Sequence, residues 1–217
     1  MRLSKRLFQG LNNVGFGREL LNLVLLGFGC GLSAVSYTHL DVYKRQDLSI
    51  LDIYVPIKHG ARVDLIPDEL GKSPRELATF ISSHKISVWY STPAILSLLA
   101  EFGQLEKIDF SALRLVLFAG EVFPVKQLRK LAIQWPSPSY YNLYGPTETN
   151  VCTYSPIPLP VPDSRTEPYP IGWACSHCNA LVLDPENQVV NSGDEGLLYI
   201  SGPPVFSGCL LYTSRCV

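Results

Sequence analysis

Apolar and polar positions along the middle of this chain switch repeatedly between a two-residue and a helical period. Residues 61–66 (ARVDLI) alternate between Gly60 and Pro67, which predicts a strand. Ser73-Pro74 opens SPRELATFISSH, with Ser73 at the cap, Pro74 at the first helical position and Glu76 three residues after the cap. That is the signature of a helix start, and Leu77, Phe80 and Ile81 fall on one face of the helix that follows. Residues 86–90 (ISVWY) predict a β-branched and aromatic strand, and Thr92-Pro93 a second helix with Ile95, Leu98 and Leu99 inward. Residues 113–119 (LRLVLFA) form the near-continuous apolar run of a buried parallel strand. Pro124 begins a third helix, with Val125, Leu128, Leu131 and Ala132 inward, and residues 139–142 predict a short fourth strand.

Strands and helices alternating at this period predict an α/β domain, its helices layered on a mostly parallel sheet. The texture then changes. Six prolines between residues 156 and 170 predict an irregular surface loop. Residues 180–183 and 196–201, separated by an Asn/Gly turn, predict antiparallel strands.

Composition bounds the whole chain. With 47% hydrophobic and 17% charged residues among 217, disorder is excluded, and a net charge of −1 gives no electrostatic ground for a nucleic-acid partner. Six scattered cysteines do not make a disulfide scaffold. Two peptides change the unit to which these totals apply. Residues 35–46 (VSYTHLDVYKRQ) and 209–217 (CLLYTSRCV) back-translate into one palindromic DNA read in two frames. That DNA resembles the transposon-end adaptor of sequencing libraries, so both peptides are set aside as adaptor-derived.

Residues 1–34 carry Arg2, Lys5 and Arg6 ahead of an apolar stretch broken by Asn22, Gly27, Gly29 and Gly31. The stretch is short for a membrane span and lacks a small-residue cleavage site, so it is read as an orphan leader, with no membrane partner expected. The coherent remainder, residues 47–208, holds 11 Lys/Arg and 17 Asp/Glu, a net charge of −6.

Candidate chemistry concentrates in Tyr141-Asn142-Leu143-Tyr144-Gly145-Pro146-Thr147-Glu148, directly after the fourth predicted strand. Ligands of open α/β sheets bind outside the carboxyl ends of strands. Tyr144 offers a flat face for a base, Gly145 a close backbone approach, Thr147 a hydroxyl and Glu148 a hard oxygen for magnesium. A plain Gly-Pro turn with polar residues facing water explains the same pattern equally well. Cys175-Ser176-His177-Cys178 has metal-like spacing but no second ligand pair downstream. His59 and His84 stand alone, and Ser201 and Ser207 lack a nucleophile elbow.

In chain order, LFAGE (residues 117–121), NLYGPTE (142–148) and GDEGLLYISGP (193–203) resemble three core motifs of the adenylate-forming, or AMP-binding, superfamily. Within it, the segment is most similar to amino-acid adenylation domains. Asp47-Leu48-Ser49 matches a fourth motif, aromatic-Asp-x-Ser, except that Gln46 replaces the aromatic residue. The resemblance covers residues 47–208 and implies part of the large N-terminal domain of that fold, βα repeats followed by antiparallel strands. It implies ATP and Mg2+ as cofactors. Tyr144 would stack on adenine, bordered by Gly120, Glu121, Asn142, Leu143 and Gly145; catalytic Thr147 would reach the α-phosphate and Glu148 the magnesium ion.

The family's substrate pocket maps onto Asp47, Leu48, Leu51, Tyr90, Leu117, Ala119, Leu143, Val151 and Cys152. Asp47 would pair with an α-ammonium, and the rest form an apolar cup that excludes polar side chains. The set is similar to that of free-standing proline-activating ligases, which implies L-proline as substrate, ahead of other small amino acids such as D-alanine. It also implies a phosphopantetheinylated carrier protein as partner, a role related to nonribosomal peptide synthesis, and a cytoplasmic location. Alternatives are an acyl- or aryl-CoA ligase of the same superfamily and a non-catalytic nucleotide-binding remnant. The family's phosphate loop and C-terminal lysine have no counterpart here, so the fragment by itself is expected to be inactive.

Overall fold

The computed structural model describes residues 22–25 and 50–208. Its main sheet runs, in spatial order, β2 (Arg62–Leu65), β1 (Asn22–Leu25), β3 (Val88–Ser91), β4 (Leu115–Phe118), β5 (Ser139–Tyr144), β6 (Thr153–Ile157) and β7 (Trp173–Ala174). The first five are parallel and the last two antiparallel; β8 (Asn179–Leu183) and β9 (Leu197–Ser201) form a separate antiparallel pair. The expected α/β architecture, parallel first and antiparallel later, is present. Asn22–Leu25, which falls in the leader segment, is the strand that joins β2 to β3, with Leu23 opposite both Val63 and Val88. The two adaptor-derived peptides, 35–46 and 209–217, lie outside the described residues.

Each β-strand sends alternate side chains to opposite faces, and here both faces are used. On one face Trp89, Val116, Phe118 and Tyr140 meet Leu77, Ile81, Leu96, Leu99, Leu128 and Leu131 from three helices, Pro74–Ser83, Pro93–Phe102 and Val125–Gln134. On the other, Val88, Tyr90, Leu115, Leu117, Ala119 and Leu143 form a second apolar cluster. This explains why β3 and β4 read as continuous apolar runs rather than alternating ones.

Three expectations are corrected. In the second helix the inward face is Ile95, Leu96, Leu99 and Ala100, while Leu98 is exposed, because Leu98 lies ~130° from the centre of that face at ~100° per residue. Ser73 does precede Pro74 at the start of the first helix, yet its side chain makes no capping hydrogen bond. Its backbone carbonyl instead takes the Leu77 N–H at 2.9 Å, the ordinary first bond of the helix.

The proline-rich segment is the third correction. Pro156 belongs to strand β6, opposite Tyr141, beyond the two residues where β7 pairs, so the sheet has an edge there that tolerates proline. Val161 is buried, and Leu159 and Tyr169 pack on the helix-side core. The segment is irregular but not merely superficial.

Residues 50–59 are helical and set Leu51 against the second cluster. Asp52 in that helix is only 4% exposed, and its Oδ1 has no hydrogen-bond partner among the described residues. Burial raises its pKa to about 8. The folded chain therefore holds this proton more tightly than the unfolded chain, where aspartate titrates near ~4. The stability contributed by the proton is complete below about pH 4 and is lost as pH rises through about 8. The urea midpoint should thus fall from mildly acidic to mildly alkaline solution, and Asp52→Asn should flatten that fall. Parallel curves for the two proteins would remove Asp52 as its source.

Candidate functional site

The site begins where β4 and β5 end. Beyond the last residue of β4 the chain turns at Gly120, whose φ is +91°, and continues through Glu121, Val122 and Phe123 to the Val125–Gln134 helix. Beside it, β5 runs directly into Gly145 and Pro146. Between these two exits lies a cavity of about 490 Å³. Its walls include Gly120, Glu121, Asn142, Leu143, Tyr144 and Gly145, all six residues expected to border a nucleotide. Tyr144 lines the cavity and is 40% exposed.

Other walls were not foreseen. Phe118, Val122, Phe123, Leu128 and Pro146 continue the β4 and β5 side, and Pro168, Tyr169 and Ile171 close the cavity from the proline-rich segment. The readable signal was Tyr169 and Ile171 themselves, an aromatic and a β-branched residue set among prolines. Asn142 ties this wall to β5, donating from Nδ2 to the carbonyls of Pro170 at 3.0 Å and Tyr169 at 3.5 Å. The wall's far end turns at Gly172, with φ +81°, where an added Cβ would sit 2.6 Å from the Tyr154 carbonyl carbon.

Thr147 and Glu148 lie past the cavity in a tight turn closed by Thr149 N–H to the Pro146 carbonyl at 3.1 Å. Thr147 is half-buried and Glu148 exposed. Neither lines the cavity; both follow directly after its wall residue Pro146.

The residues expected to line a substrate pocket are only partly brought together. Tyr90, Leu117, Ala119 and Leu143 are buried together on the second face of the sheet, with Leu51 and Val151 packed against them. Cys152 belongs to a neighbouring cluster with Cys175 and Cys178, which shares Val151 and Tyr154 with the first. Asp47 and Leu48 lie outside the described residues. Leu143 borders both places, lining the cavity and belonging to the apolar cluster. The two candidate subsites are therefore adjacent.

The Cys175–Cys178 pair closes a turn, Cys178 N–H to Cys175 carbonyl at 2.9 Å, rather than presenting thiols outward. Burial, together with the nearby Cys178 and Cys152 thiols, pushes the Cys175 thiol up to about 12. Such a thiol stays protonated at neutral pH, the opposite of what a nucleophile or ligand needs. His84 stacks on Phe80 with ring centroids 3.8 Å apart, a local packing role. Among the described residues no helix is long and apolar enough to cross a membrane.

Comparison with known proteins agrees with this geometry. The chain is 43% identical over 162 residues to an L-proline–[L-prolyl-carrier protein] ligase of Pseudomonas fluorescens, covering 75% of this chain and 32% of that protein. It is 43% identical over 164 residues to the protein of the same description from Streptomyces coelicolor, covering 75% and 31%. A D-alanine–D-alanyl carrier protein ligase of Bacillus cytotoxicus is 29% identical over 167 residues, covering 76% and 32%. The chain thus spans about a third of the length of these relatives.

Among solved structures, IdnL1 superposes with a TM-score of 0.74 at 23% identity, covering 95% of this chain and 39% of that one. The nonribosomal peptide synthetase FmoA3, in its α-methyl-L-serine-AMP bound form, gives 0.69 at 23% identity, covering 87% and 20%. These two establish the fold. The profile of the family described as AMP-binding enzyme matches residues 27–210, most of the chain. The cavity at the ends of β4 and β5 and the motif that lines it accordingly have a family to belong to: this chain is a member of the AMP-binding enzymes.

Proposed function

We propose that this chain is the nucleotide- and substrate-holding part of an amino acid–carrier protein ligase, and that its amino acid is L-proline. The observation that carries the reading is adjacency. An open cavity with the flat face of Tyr144 shares Leu143 with an apolar cluster of Tyr90, Leu117 and Ala119. In the reaction, a carboxylate oxygen of the amino acid attacks the α-phosphorus of ATP and pyrophosphate leaves. The sulfur of a phosphopantetheine thiol on a carrier protein then attacks the acyl carbon, AMP leaves, and the thiol proton passes to solvent.

The residues divide the work. Tyr144 stacks on the base, Asn142 fixes the wall facing it, and Thr147 donates to an α-phosphate oxygen. The apolar cluster accepts an aliphatic ring and excludes charged side chains, whose desolvated charge would go unpaired. Asp47 receives the α-ammonium. Glu148 is the residue that would hold magnesium. A single exposed carboxylate suits an ion held mainly by nucleotide phosphates, since Mg2+ commonly binds through one or two carboxylates plus substrate oxygens. When bound, the ion neutralises charge developing on the phosphates. Binding without efficient turnover is proposed for the chain by itself, because no cation among the residues placed at the site meets that charge. Its setting is the cytoplasm, where ATP is abundant.

The segments 35–46 and 209–217 are proposed to be adaptor-encoded, and sequencing the source DNA across both junctions tests this directly. The functional reading is tested by calorimetric titration of the chain with AMP and with a non-hydrolysable prolyl-sulfamoyl adenylate. Both should bind, and the second more tightly. Tyr144→Ala should weaken AMP by about 1–3 kcal/mol, roughly five- to 150-fold, the usual value of an aromatic stack on a base. Equal affinity in the variant would sink the stacking role. Proline-dependent ATP–pyrophosphate exchange above background would refute the proposed inactivity of the fragment.

A further inference from the structure

The segment from Val161 to Ile171 closes the nucleotide cavity with few bonds of its own. Four of its residues or immediate neighbours are prolines (160, 162, 168 and 170) and donate no backbone hydrogen bond, so apart from Arg165 N–H to the Pro162 carbonyl at 3.1 Å the segment's carbonyls find side-chain donors. Two arginines supply them. Arg129, one residue after the cavity-lining Leu128 on the Val125–Gln134 helix, donates from Nη2 to the carbonyls of Pro162 and Arg165, both at 2.7 Å, and approaches that of Asp163 at 3.3 Å. Its Nε lies 3.5 Å from the Asp163 carboxylate, which is fully exposed and adds little.

Arg165 then braces the segment internally. Its Nη2 donates to the Pro168 carbonyl at 2.8 Å, and its guanidinium lies 3.9 Å from the centroid of the Tyr169 ring. Tyr169 and Pro168 are themselves cavity wall, and the carbonyls of Tyr169 and Pro170 are held from the opposite side by Asn142. A continuous path thus runs from the helix through Arg129, Arg165 and Tyr169 to β5.

We infer that Arg129 and Arg165 are positioning residues for nucleotide binding: they suspend the 161–171 strap between helix and sheet so that Tyr169 and Pro168 stand as a preformed wall of the cavity. This rests on the nucleotide reading of that cavity proposed above. The physical gain is preorganisation, because a wall already ordered does not have to be ordered when the ligand arrives. Arginine suits the Arg165 position since its flat guanidinium bonds a carbonyl while lying over a ring, which a lysine ammonium does less well.

The test uses the 217-residue chain, with AMP as the probe in calorimetry and hydrogen exchange read by mass spectrometry. Arg165→Ala should weaken AMP roughly five- to tenfold and speed exchange at the strap amides of residues 161–172 at least about tenfold, one to two weak interactions' worth. Exchange in β3 and β4 should stay unchanged, since neither arginine touches them. Arg165→Lys, which keeps a cation over the Tyr169 ring, should recover part of the affinity. Arg129→Lys, the milder change should Arg165→Ala fold poorly, should loosen the strap and weaken AMP by a smaller factor.

Full AMP affinity in Arg165→Ala, or a loss accompanied by faster exchange throughout the core, overturns the inference and leaves the nucleotide reading standing. A wild-type chain that binds no AMP overturns both, and is recognised because the unsubstituted protein already fails.

Discussion

Replacing Trp89 by alanine is expected to destabilise the chain by about 3–5 kcal/mol. Trp89 is fully buried in the centre of β3, on the face that meets the helices. Its loss removes one of the two largest side chains of that core, the other being Trp135, and leaves a void that backbone on a parallel sheet cannot close. A second cost is polar. Trp89 Nε1 donates to Ser91 Oγ at 2.9 Å in a buried environment, and Ser91, only 2% exposed, would lose that partner. Ser91 Oγ keeps its own donation to the Thr92 carbonyl at 3.4 Å, so the lost indole contact adds about 0.5–1.5 kcal/mol, one ordinary hydrogen bond. Urea unfolding measures this, with the slope unchanged and the midpoint shifted. Trp89→Phe, which refills most of the volume but not the hydrogen bond, should fall in between. A loss below about 1 kcal/mol for the alanine variant would mean that β3 is not the centre of this fold.

Gly145→Ala is expected to weaken both the fold and AMP binding. An added Cβ at position 145 would collide with the Asn150 carbonyl oxygen and stand 2.6 Å from the Asn150 carbonyl carbon and 2.9 Å from the Cys152 nitrogen. All three are backbone atoms, so no side-chain rotation relieves the overlap. The loop from Pro146 to Val151 must move, and with it Thr147, Glu148 and the Cys152 N–H bond to the Tyr144 carbonyl at 2.8 Å. Overpacking of this kind costs about 1–3 kcal/mol. Because it falls where Tyr144 is anchored, AMP affinity should drop by at least about tenfold, the equivalent of ~1.4 kcal/mol. Calorimetry reads the affinity and thermal unfolding reads the stability. An alanine variant that binds AMP as tightly as the original would show that the loop is not held in this arrangement. The close backbone approach expected at this glycine is present. In the structure, the close approach is by the chain's own backbone.

Much of the fold was legible because local signals agreed with one another. The Pro74, Pro93 and Pro124 starts, the Val125 periodicity and the apolar runs of β3 and β4 all survive in place. The misreadings share a cause. Leu98 was assigned inward from a helical repeat that does not say which of two adjacent stripes meets the sheet, and neighbouring elements chose Leu96 instead. Ser73 had the composition of a capping residue, but the cap bond depends on a side-chain rotamer that composition does not set.

The candidate site divides the same way. Residues 142–148 could be picked out because their chemistry is local: an aromatic ring, a glycine, a hydroxyl and a carboxylate within seven positions. By itself the sequence determined the alternating strands and helices of residues 61–142, the apolar runs of β3 and β4 and that compact motif, since each depends on side-chain period or on neighbours a few residues apart. Only the tertiary structure decided what faces the motif. Pairing β4 beside β5 brings Gly120 next to Tyr144, and folding the 161–171 strap back under Arg129 and Arg165 sets Tyr169 across the cavity. The β4–β5 pairing and the Arg129 bonds join residues more than twenty positions apart. They are fixed by strand order and by carbonyls seeking donors, and neither leaves a period in the sequence.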